Sequence, residues 1–336
     1  METSNWQAFN LATEALRDID RFVSSSSKNR TILVEARQKL AGAVHKDPSF
    51  IRAQYYSAIV DDMLGQPAKA ASELERLLDQ KPTFKDEAEY NLGVSYYHLY
   101  SKDQITKAIG AFENVVRQTA DRPLKYMASA GLVRAFSMMV LHSSKEGNKQ
   151  DAAKFTEQSR AGSESLLETV RSDESLDQKT KNEIEWRTLN GRGVGRMFYS
   201  DYETDPAKRK KDLQKALKDF EAANKLSPNN WEIVCNFGSA YMRLGNVEKL
   251  SSRYDSSHQE FETARRYLQD VIGHIRPNYG FALYEMGRVY RLEQNFQEAI
   301  VWFERALAIP EDERNISVRG LEAEIAKARN GSDKFP

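Results

Sequence analysis

The alternation of apolar and polar residues is most regular between Gly280 and Pro310, where two stretches of helical period flank a short polar turn. In the first stretch, apolar residues recur every three or four positions around Gly287. In the second stretch, Ala299 is followed four residues later by Phe303. Such spacing places side chains on one face of an α-helix. The pattern therefore predicts two amphipathic helices that cross closely at their small residues.

Similar pairs of stretches recur along the chain. In most second stretches, an alanine is followed four residues later by an apolar residue and three residues further by a small or apolar one. These triplets are Ala36/Leu40/Ala43, Ala70/Leu74/Leu77, Ala108/Phe112/Val115, Ala216/Phe220/Ala223, Ala264/Leu268/Val271 and Ala299/Phe303/Ala306. A single helix pair cannot bury its apolar face alone, so we expect several stacked copies.

This order of small, aromatic and apolar positions resembles the tetratricopeptide repeat, a helix-turn-helix unit of about 34 residues. The resemblance covers about residues 6–310. It implies an all-α fold, a right-handed superhelical solenoid of about seven helix pairs followed by a C-terminal capping helix. One copy departs from the family pattern, since Asp61 occupies a position that usually holds an aromatic residue.

The spacing of the copies divides the chain into five regions. These are a divergent N-terminal repeat (1–50), two repeats (51–123), a divergent repeat with a long second helix (124–180), three repeats (181–310), and a capping helix with its tail (311–336). Two of the three repeats in 181–310 carry about 14 residues more than the family's turn allows.

Capping residues predict where the longer helices begin. Asn148 is expected to cap a helix that continues to about Arg171. Asp205 followed by Pro206 predicts another helix start, because proline is tolerated in the first helical turn. Ser256 begins a capping-box pattern inside the second long insertion.

Composition narrows the possible partners. Hydrophobic residues make up 40% of the 336-residue chain and charged residues 29%, values typical of a folded, helix-rich protein. Basic and acidic residues total 49 each, so the formal net charge is zero. A neutral chain does not favour nucleic acid or an anionic membrane as a partner.

Three features favour a cytoplasmic protein. Apolar runs are all well short of the roughly 18 residues of a membrane-spanning helix. The segment from Met1 to Phe22 is acidic and amphipathic, without the basic and apolar segments of a secretory signal. The single cysteine, Cys235, excludes a disulfide within the chain and fits a reducing compartment.

Candidate chemistry is sparse. The glycine run Asn190–Arg196 lies inside a helical repeat, whereas phosphate-binding loops follow a β-strand, so we interpret its glycines as sites of close helix crossing. We interpret the basic cluster Lys208–Lys211 as a solvated helix face. A nucleophilic Cys235 would need a histidine base, and the five histidines are scattered. We therefore predict no catalytic residue, no cofactor and no metal site.

The family resemblance does imply a working surface. In such arrays the first helices of the pairs line a concave face, and their polar and aromatic side chains can hydrogen-bond to a peptide. The candidate partner-binding residues are Tyr90, Asn91, Tyr97, Asn236, Arg243, Tyr284, Arg288 and Arg291. The chaperone-tail clamp of one subfamily is incomplete, because Asn236 fits its pattern but Phe281 and Glu285 do not. We therefore do not expect a chaperone C-terminal tail as the partner.

From these observations we predict that the protein is a non-catalytic scaffold or adaptor. It would bind a protein or peptide segment in the concave groove or on the inserted helices. The partner could make the chain a subunit of a larger complex. An alternative is a cytosolic receptor whose superhelix changes when a short signalling peptide or small ligand binds. An enzyme would rest on the glycine run and Cys235 alone.

Overall fold

The computed structural model describes residues 3–24, 29–276, 279–310 and 316–332. These residues form fifteen α-helices and no β-strand, which confirms the predicted all-α fold. The chain divides into two compact units, unit 1 from Met1 to Lys125 and unit 2 from Tyr126 to Pro336. Residues 311–315 and 333–336 of the predicted capping region lie outside the described residues.

Unit 1 contains three helix pairs. Its helices are α1 (Trp6–Ser24), α2 (Arg30–Lys46), α3 (Ile51–Met63), α4 (Pro67–Asp79), α5 (Lys85–His98) and α6 (Lys102–Gln118). Each odd-numbered helix packs against the next helix, and α2 and α4 also pack against the helix that follows them. This alternation is the stacked-hairpin arrangement of a solenoid.

Unit 2 contains four helix pairs of different lengths and a final helix. Its helices are α7 (Arg122–Lys145, which begins in unit 1), α8 (Lys149–Ser172), α9 (Gln178–Tyr199), α10 (Pro206–Leu226), α11 (Trp231–Leu250), α12 (Tyr254–Asp270), α13 (Gly280–Leu292), α14 (Phe296–Leu307) and α15 (Val318–Arg329). A 3₁₀ turn follows α9 and a π turn follows α12. The last helix, α15, packs on α14 as the predicted cap does.

Small residues set the closest approach of the two helices in a pair. A Cβ atom added at Gly287 would lie 2.5 Å from the ring of Phe303, which is fully buried. The same kind of contact, between 2.5 and 2.8 Å, recurs for Gly93 with Phe112, Gly193 with Phe220 and Gly238 with Leu268. The glycines therefore act as the repeat pattern predicts, by letting a large side chain of the second helix reach the first helix.

The insertion in the sixth pair lengthens both of its helices. Beyond Gly238, α11 continues about two helical turns further than α13 does beyond Gly287. In this extension Gly245 meets Phe261, and the Ser257 hydroxyl donates to the Gly245 carbonyl at 2.8 Å. The extension thus repeats the close crossing of the pair, and its two helices support each other.

The cap residues were predicted in two cases of three. The side chain of Asn148 accepts from the Asp151 amide at 3.0 Å at the start of α8, and that of Asp205 accepts from the Ala207 amide at 2.9 Å at the start of α10. The predicted capping box at Ser256 is wrong, because α12 begins earlier, at Tyr254. Ser256 lies inside the helix, and its neighbour Ser257 makes the buried contact with α11.

Asp61 shows what replaces the missing aromatic residue of the second pair. Its side chain is buried and lies 2.8 Å from Arg37 Nε on α2 and 3.1 Å from Lys69 Nζ on α4. A buried ion pair here fills the seam that an aromatic ring fills elsewhere. The substitution changes the chemistry of the contact and keeps the helix pairing.

Among the described residues, α7 alone is long and apolar enough to cross a membrane by length and composition, with a mean hydropathy of 1.2 in its most apolar window. That window is 56% buried, and the core helix of a globular protein passes the same test. Arg134 of this helix pairs with Glu232 of α11. The helix is therefore weak evidence for a membrane span.

Candidate partner-binding surface

Charged side chains form a continuous set of contacts along unit 2. We call the following residues the inner-face network: Asp201, Arg209, Arg243, Glu285 and Arg288. Asp201 lies in the 3₁₀ turn after α9, Arg209 on α10, Arg243 on α11, and the last two on α13. The network therefore joins three successive helix pairs of unit 2.

The contacts of the network are short and buried. Asp201 accepts hydrogen bonds from Arg209 Nη2 at 3.1 Å and from Arg243 Nε at 3.3 Å. Arg243 Nη1 lies 3.9 Å from Glu285 Oε2, and Arg288 Nη1 donates to Glu285 Oε1 at 2.8 Å. None of the five side chains is more than 11% exposed. The helices are therefore joined by charges that are largely removed from water.

Burial and neighbouring charges act in opposite directions on this network. Burial disfavours the ionised form of Arg288, but the charge of Glu285 together with Tyr284, Glu324 and Asp201 outweighs this effect, and the pKa of Arg288 is raised. Burial lowers the pKa of Arg209, and the nearby arginines add to this effect against the attraction of Asp201. Removal of one member would leave its partner as an uncompensated buried charge, so the network holds the helices in one arrangement.

Three of the predicted binding residues belong to the interior. Arg243 is 2% exposed and Arg288 4%, and both lie in the inner-face network. Arg291 is 0% exposed; its Nε donates to Glu324 of α15 at 2.8 Å and its Nη1 to the Ser332 carbonyl at 2.9 Å. The expectation that these arginines line an accessible surface is corrected, because buried acidic residues hold them in the core. Asp201 binds Arg243, Glu285 of the same helix binds Arg288, and Glu324 binds Arg291.

Asn236 and Tyr284 remain half-buried on the first helices of unit 2. Asn236 Nδ2 donates to Asn190 Oδ1 at 2.9 Å, which joins α11 to α9 and leaves the Asn236 carbonyl oxygen outside this bond. The Tyr284 ring lies 5.5 Å from the Arg288 guanidinium, and burial raises the pKa of its hydroxyl. Both side chains combine an anchored part with a surface that a partner can reach.

The three predicted residues of unit 1 lie on α5 and are half-buried. Asn91 Nδ2 donates to the Tyr55 hydroxyl at 2.8 Å and to the Glu87 carbonyl at 2.9 Å. Tyr90 packs against Phe112, and the Tyr97 ring lies 5.8 Å from that of His98. These side chains are ordered by neighbours within unit 1, and they stay accessible.

The glycine run makes room for side chains of neighbouring helices. A Cβ atom at Gly191 would lie 2.9 Å from Cγ of Arg134, whose Nη2 donates to Glu232 at 2.8 Å. Arg134 on α7 thus passes α9 at a glycine and reaches α11. Gly193 meets the Phe220 ring, and Gly195 would meet Ser137 Oγ at 2.8 Å. Since α9 is one continuous helix, the interpretation of the run as close helix crossing is confirmed.

Cys235 has the environment of an inert thiol. It is 2% exposed, and burial raises its pKa well above the ordinary value, with Glu285 adding to the effect. A thiol held in its protonated form is a poor nucleophile. Within the part of the chain that the structure describes, no group of three His, Cys, Asp or Glu side chains could hold a metal ion.

Pattern analysis missed most of the charged residues that organise unit 2. Arg243 and Asp201 are 42 positions apart in the chain, so no local spacing indicates their contact. Arg134 did carry a signal, because a lone arginine among the apolar residues of α7 needs a buried partner. Two open clefts, of about 400 Å³ beside α15 and about 610 Å³ beside α8, are lined by none of the predicted binding residues.

Comparisons with known proteins agree on the architecture. Residues 236–312 match the model of the tetratricopeptide repeat. A tetratricopeptide repeat protein from Parabacteroides merdae ATCC 43184 superposes with a TM-score of 0.53 at 11% identity, covering 96% of this chain and 99% of that one. This likeness shows the solenoid fold.

Two further solved structures show lower similarity. TTC0263, a thermophilic tetratricopeptide repeat protein from Thermus thermophilus, has a TM-score of 0.45 at 15% identity over 73% of this chain and 99% of that one. The TPR2AB domain of yeast Sti1, solved in complex with pHSP90, has a TM-score of 0.30 at 13% identity over 96% and 98%. No curated protein matches the chain.

Proposed function

Because the chain is a tetratricopeptide repeat protein, we propose that it is a non-catalytic scaffold that holds a partner protein or peptide segment on the first helices of its pairs. The observation that carries this proposal is the set of half-buried side chains on those helices. Asn91, Tyr97, Asn236 and Tyr284 each have an anchored part and an accessible part. Such groups can hydrogen-bond and pack against an extended segment without being reordered first.

The mechanism is preorganisation. Ion pairs of Arg243 on α11 with Asp201 in the turn after α9 and with Glu285 on α13 keep the first helices of unit 2 in one arrangement before a partner arrives. The free energy of binding is then not reduced by ordering the scaffold, and the partner segment bears most of the ordering cost. The long pairs from α7 to α12 supply a second surface on which a partner could be held.

The same features weigh against the other two functions. A receptor that changes its pitch on binding a small ligand would have to rearrange Asp201, Arg243 and Glu285, which are buried together. An enzyme would need the glycine run or Cys235. Side chains of Arg134 and Phe220 fill the space beside the glycines, and Cys235 is buried. We also propose a cytoplasmic location, consistent with the single free cysteine, and no cofactor.

Photo-cross-linking from defined positions tests the proposal. The photoreactive residue p-benzoylphenylalanine replaces Tyr97 or Tyr284 on the first helices, Tyr254 at the tip of the long sixth pair, or Val301 on α14 in native cells. Tyr254 is 66% exposed and Val301 48%, so both are accessible comparison sites. We expect a common partner to be cross-linked from Tyr97 or Tyr284 and not from Val301.

The other outcomes separate the alternatives. A partner captured only from Tyr254 would move the binding surface to the inserted helices. Capture from Val301 alone, or from no position, would refute a scaffold that works through its first helices.

A further inference from the structure

Two aromatic rings hold the side chain of Arg276, a half-buried residue directly after the π turn that follows α12. Its guanidinium carbon lies 4.3 Å from the centre of the Trp231 ring and 4.8 Å from that of the Tyr279 ring. The two rings also contact each other edge to face, with their centroids 4.6 Å apart. The guanidinium is therefore fixed at the edge of unit 2 where α11 and α13 begin.

Arg276 has no acidic partner among the residues that the structure describes. It differs in this from the three arginines of the inner-face network, which all lie within 4 Å of a carboxylate. The acid that follows Trp231 in the chain, Glu232, already pairs with Arg134 at 2.8 Å. The N–H groups of a guanidinium form a planar fork that matches the two oxygens of a carboxylate, so those of Arg276 can bind such a group on a partner.

Anchoring and partial burial both favour binding at this arginine. An arginine on an open surface loses conformational freedom when it binds a ligand, and the two rings have already restricted Arg276. Partial burial also reduces the screening by water, so an ion pair here is stronger than on an open surface. A fixed cation without an acidic partner therefore selects a negatively charged group.

A row of aromatic rings continues from this arginine onto α13. The centroid of the Tyr279 ring lies 6.3 Å from that of Phe281, and Phe281 lies 6.2 Å from Tyr284. Phe281 and Tyr284 are half-buried, so each keeps an accessible part. An extended segment advances about 3.3 Å per residue, so about five residues cover the row. The surface therefore suits a segment that has an apolar side chain a few positions from an acidic one.

We propose that the segment held by unit 2 carries an aspartate or glutamate whose side-chain carboxylate is bound by Arg276, with an apolar side chain packed on Phe281 and Tyr284. The proposal rests on the scaffold function proposed above and adds the chemistry of the partner. Arg276 lies between two helix pairs and not on a first helix, so this site is separate from the incomplete chaperone-tail clamp.

Peptide selection on the purified full-length protein tests the proposal. Random synthetic peptides of about twelve residues, longer than the row of rings and amidated at the C-terminus, are selected in parallel on wild type and on Arg276→Gln. We expect the peptides bound by wild type alone to share an Asp or Glu within about five positions of an apolar residue. In fluorescence anisotropy, their affinity should fall about tenfold, equivalent to about 1.4 kcal/mol, in Arg276→Gln.

A double-mutant cycle separates this ion pair from general electrostatics. Neutralising the acidic residue of the peptide to Asn or Gln should cost about tenfold with wild type and little with Arg276→Gln. Arg276→Lys keeps the charge without the planar fork, so it should lose about threefold. The matched control is Arg266→Gln on α12, because Arg266 is an exposed arginine 5.6 Å from the Tyr267 ring, and binding should be unchanged. Circular dichroism at the assay temperature checks that each variant is folded.

Several results would overturn the proposal. They are the absence of any bound peptide, bound peptides without a shared acidic residue, or equal affinity of wild type and Arg276→Gln. An acidic residue whose neutralisation costs the same in wild type and in Arg276→Gln would have its partner elsewhere, which also refutes the site. Cross-linking from Tyr284 does not depend on charge, so a partner captured there alongside any of these results would leave the scaffold function standing and refute only the Arg276 site.

Discussion

Helices α5 of unit 1 and α13 of unit 2 have the same apolar seam and very different polar faces. Gly93 admits the ring of Phe112, and Gly287 admits that of Phe303, at Cβ-to-ring distances of 2.8 and 2.5 Å. On the polar side, α5 presents half-buried Tyr90, Asn91 and Tyr97. Helix α13 instead buries its charged side chains in ion pairs with α11 and α15.

The difference shows that the repeat pattern specifies the seam and not the use of the opposite face. A glycine opposite a large apolar residue has the same consequence wherever it occurs, because the helices approach until the side chain fills the space. A polar residue on the other face is exposed or buried according to what neighbouring helices place beside it. Arg291 is buried because α15 supplies Glu324.

The largest expected effect on the free energy of unfolding comes from the buried ion pair between α13 and α15. Arg291→Ala leaves Glu324 as a buried carboxylate without its main partner, so we expect a loss of about 3–5 kcal/mol in the free energy of unfolding. Urea denaturation followed by circular dichroism measures it. The double variant Arg291→Leu with Glu324→Leu should recover most of the loss, because a neutral pair needs no compensation. A loss below about 1 kcal/mol in the single variant would contradict the structural role of Arg291.

The shared seam should respond equally in both units. Gly93→Ala and Gly287→Ala each force a methyl group against a buried phenylalanine ring, so each should cost about 1–3 kcal/mol. Gly110→Ala is the matched control, since a Cβ there meets nothing within 4 Å and the better helix propensity of alanine should stabilise α6 by up to about 1 kcal/mol. Thermal unfolding of the three variants checks the prediction. A large difference in stability between Gly93→Ala and Gly287→Ala would contradict the claim that the two helices have equivalent apolar contacts.

The sequence predicted the fold well because its evidence is local. Helix pairing, the crossing glycines and the caps at Asn148 and Asp205 depend on residues within a few turns of each other. The repetition of the pattern compensates for copies such as the second, where Asp61 replaces an aromatic residue and pairs with Arg37 and Lys69.

The polar contacts of unit 2 could not be predicted in the same way. Arg291 and Glu324 are 33 positions apart, and the sequence alone does not show that α15 turns its acidic face toward α13. The accessibility of the first-helix residues is therefore expected only from the family resemblance, and Arg288 is buried instead. Asn91, Tyr97, Asn236 and Tyr284 are all half-buried, and their role in binding stays a prediction.

On the accessible side, Asn91→Ala should have a small effect on stability. It removes the hydrogen bond to Tyr55 from a half-buried site, so we expect a loss of about 0.5–1.5 kcal/mol in unfolding free energy. Tyr55→Phe is the matched variant, because it removes the same bond from the other partner. A loss as large as that of Arg291→Ala would show that α5 is built like α13 and would remove the contrast between them.

The smallest effect, and the sharpest contrast, is in the pH dependence of stability. Burial raises the pKa of Glu324, but the charges of Arg288, Arg291 and Lys327 together outweigh this effect and hold the pKa below the ordinary 4.5. Its contribution is therefore present above pH 4.5 and is lost as the pH falls through the folded-state value. Glu73 of unit 1 has the opposite sign, because burial and the nearby charge of Asp61 raise its pKa above 4.5. Its ionisation costs stability as the pH rises through that higher value.

Two glutamine variants measure these signs directly in urea denaturation between about pH 7 and pH 3. Glu324→Gln should be less stable than wild type at neutral pH, and the difference should shrink in acid as wild type loses its carboxylate. Glu73→Gln should be at least as stable as wild type at neutral pH, with its advantage vanishing below about pH 4.5. Parallel pH profiles for the two variants would mean that the carboxylates of the two units experience the same environment. Opposite profiles would show that α15 supplies an acid to satisfy buried arginines, while Glu73 carries a charge that its own neighbours oppose.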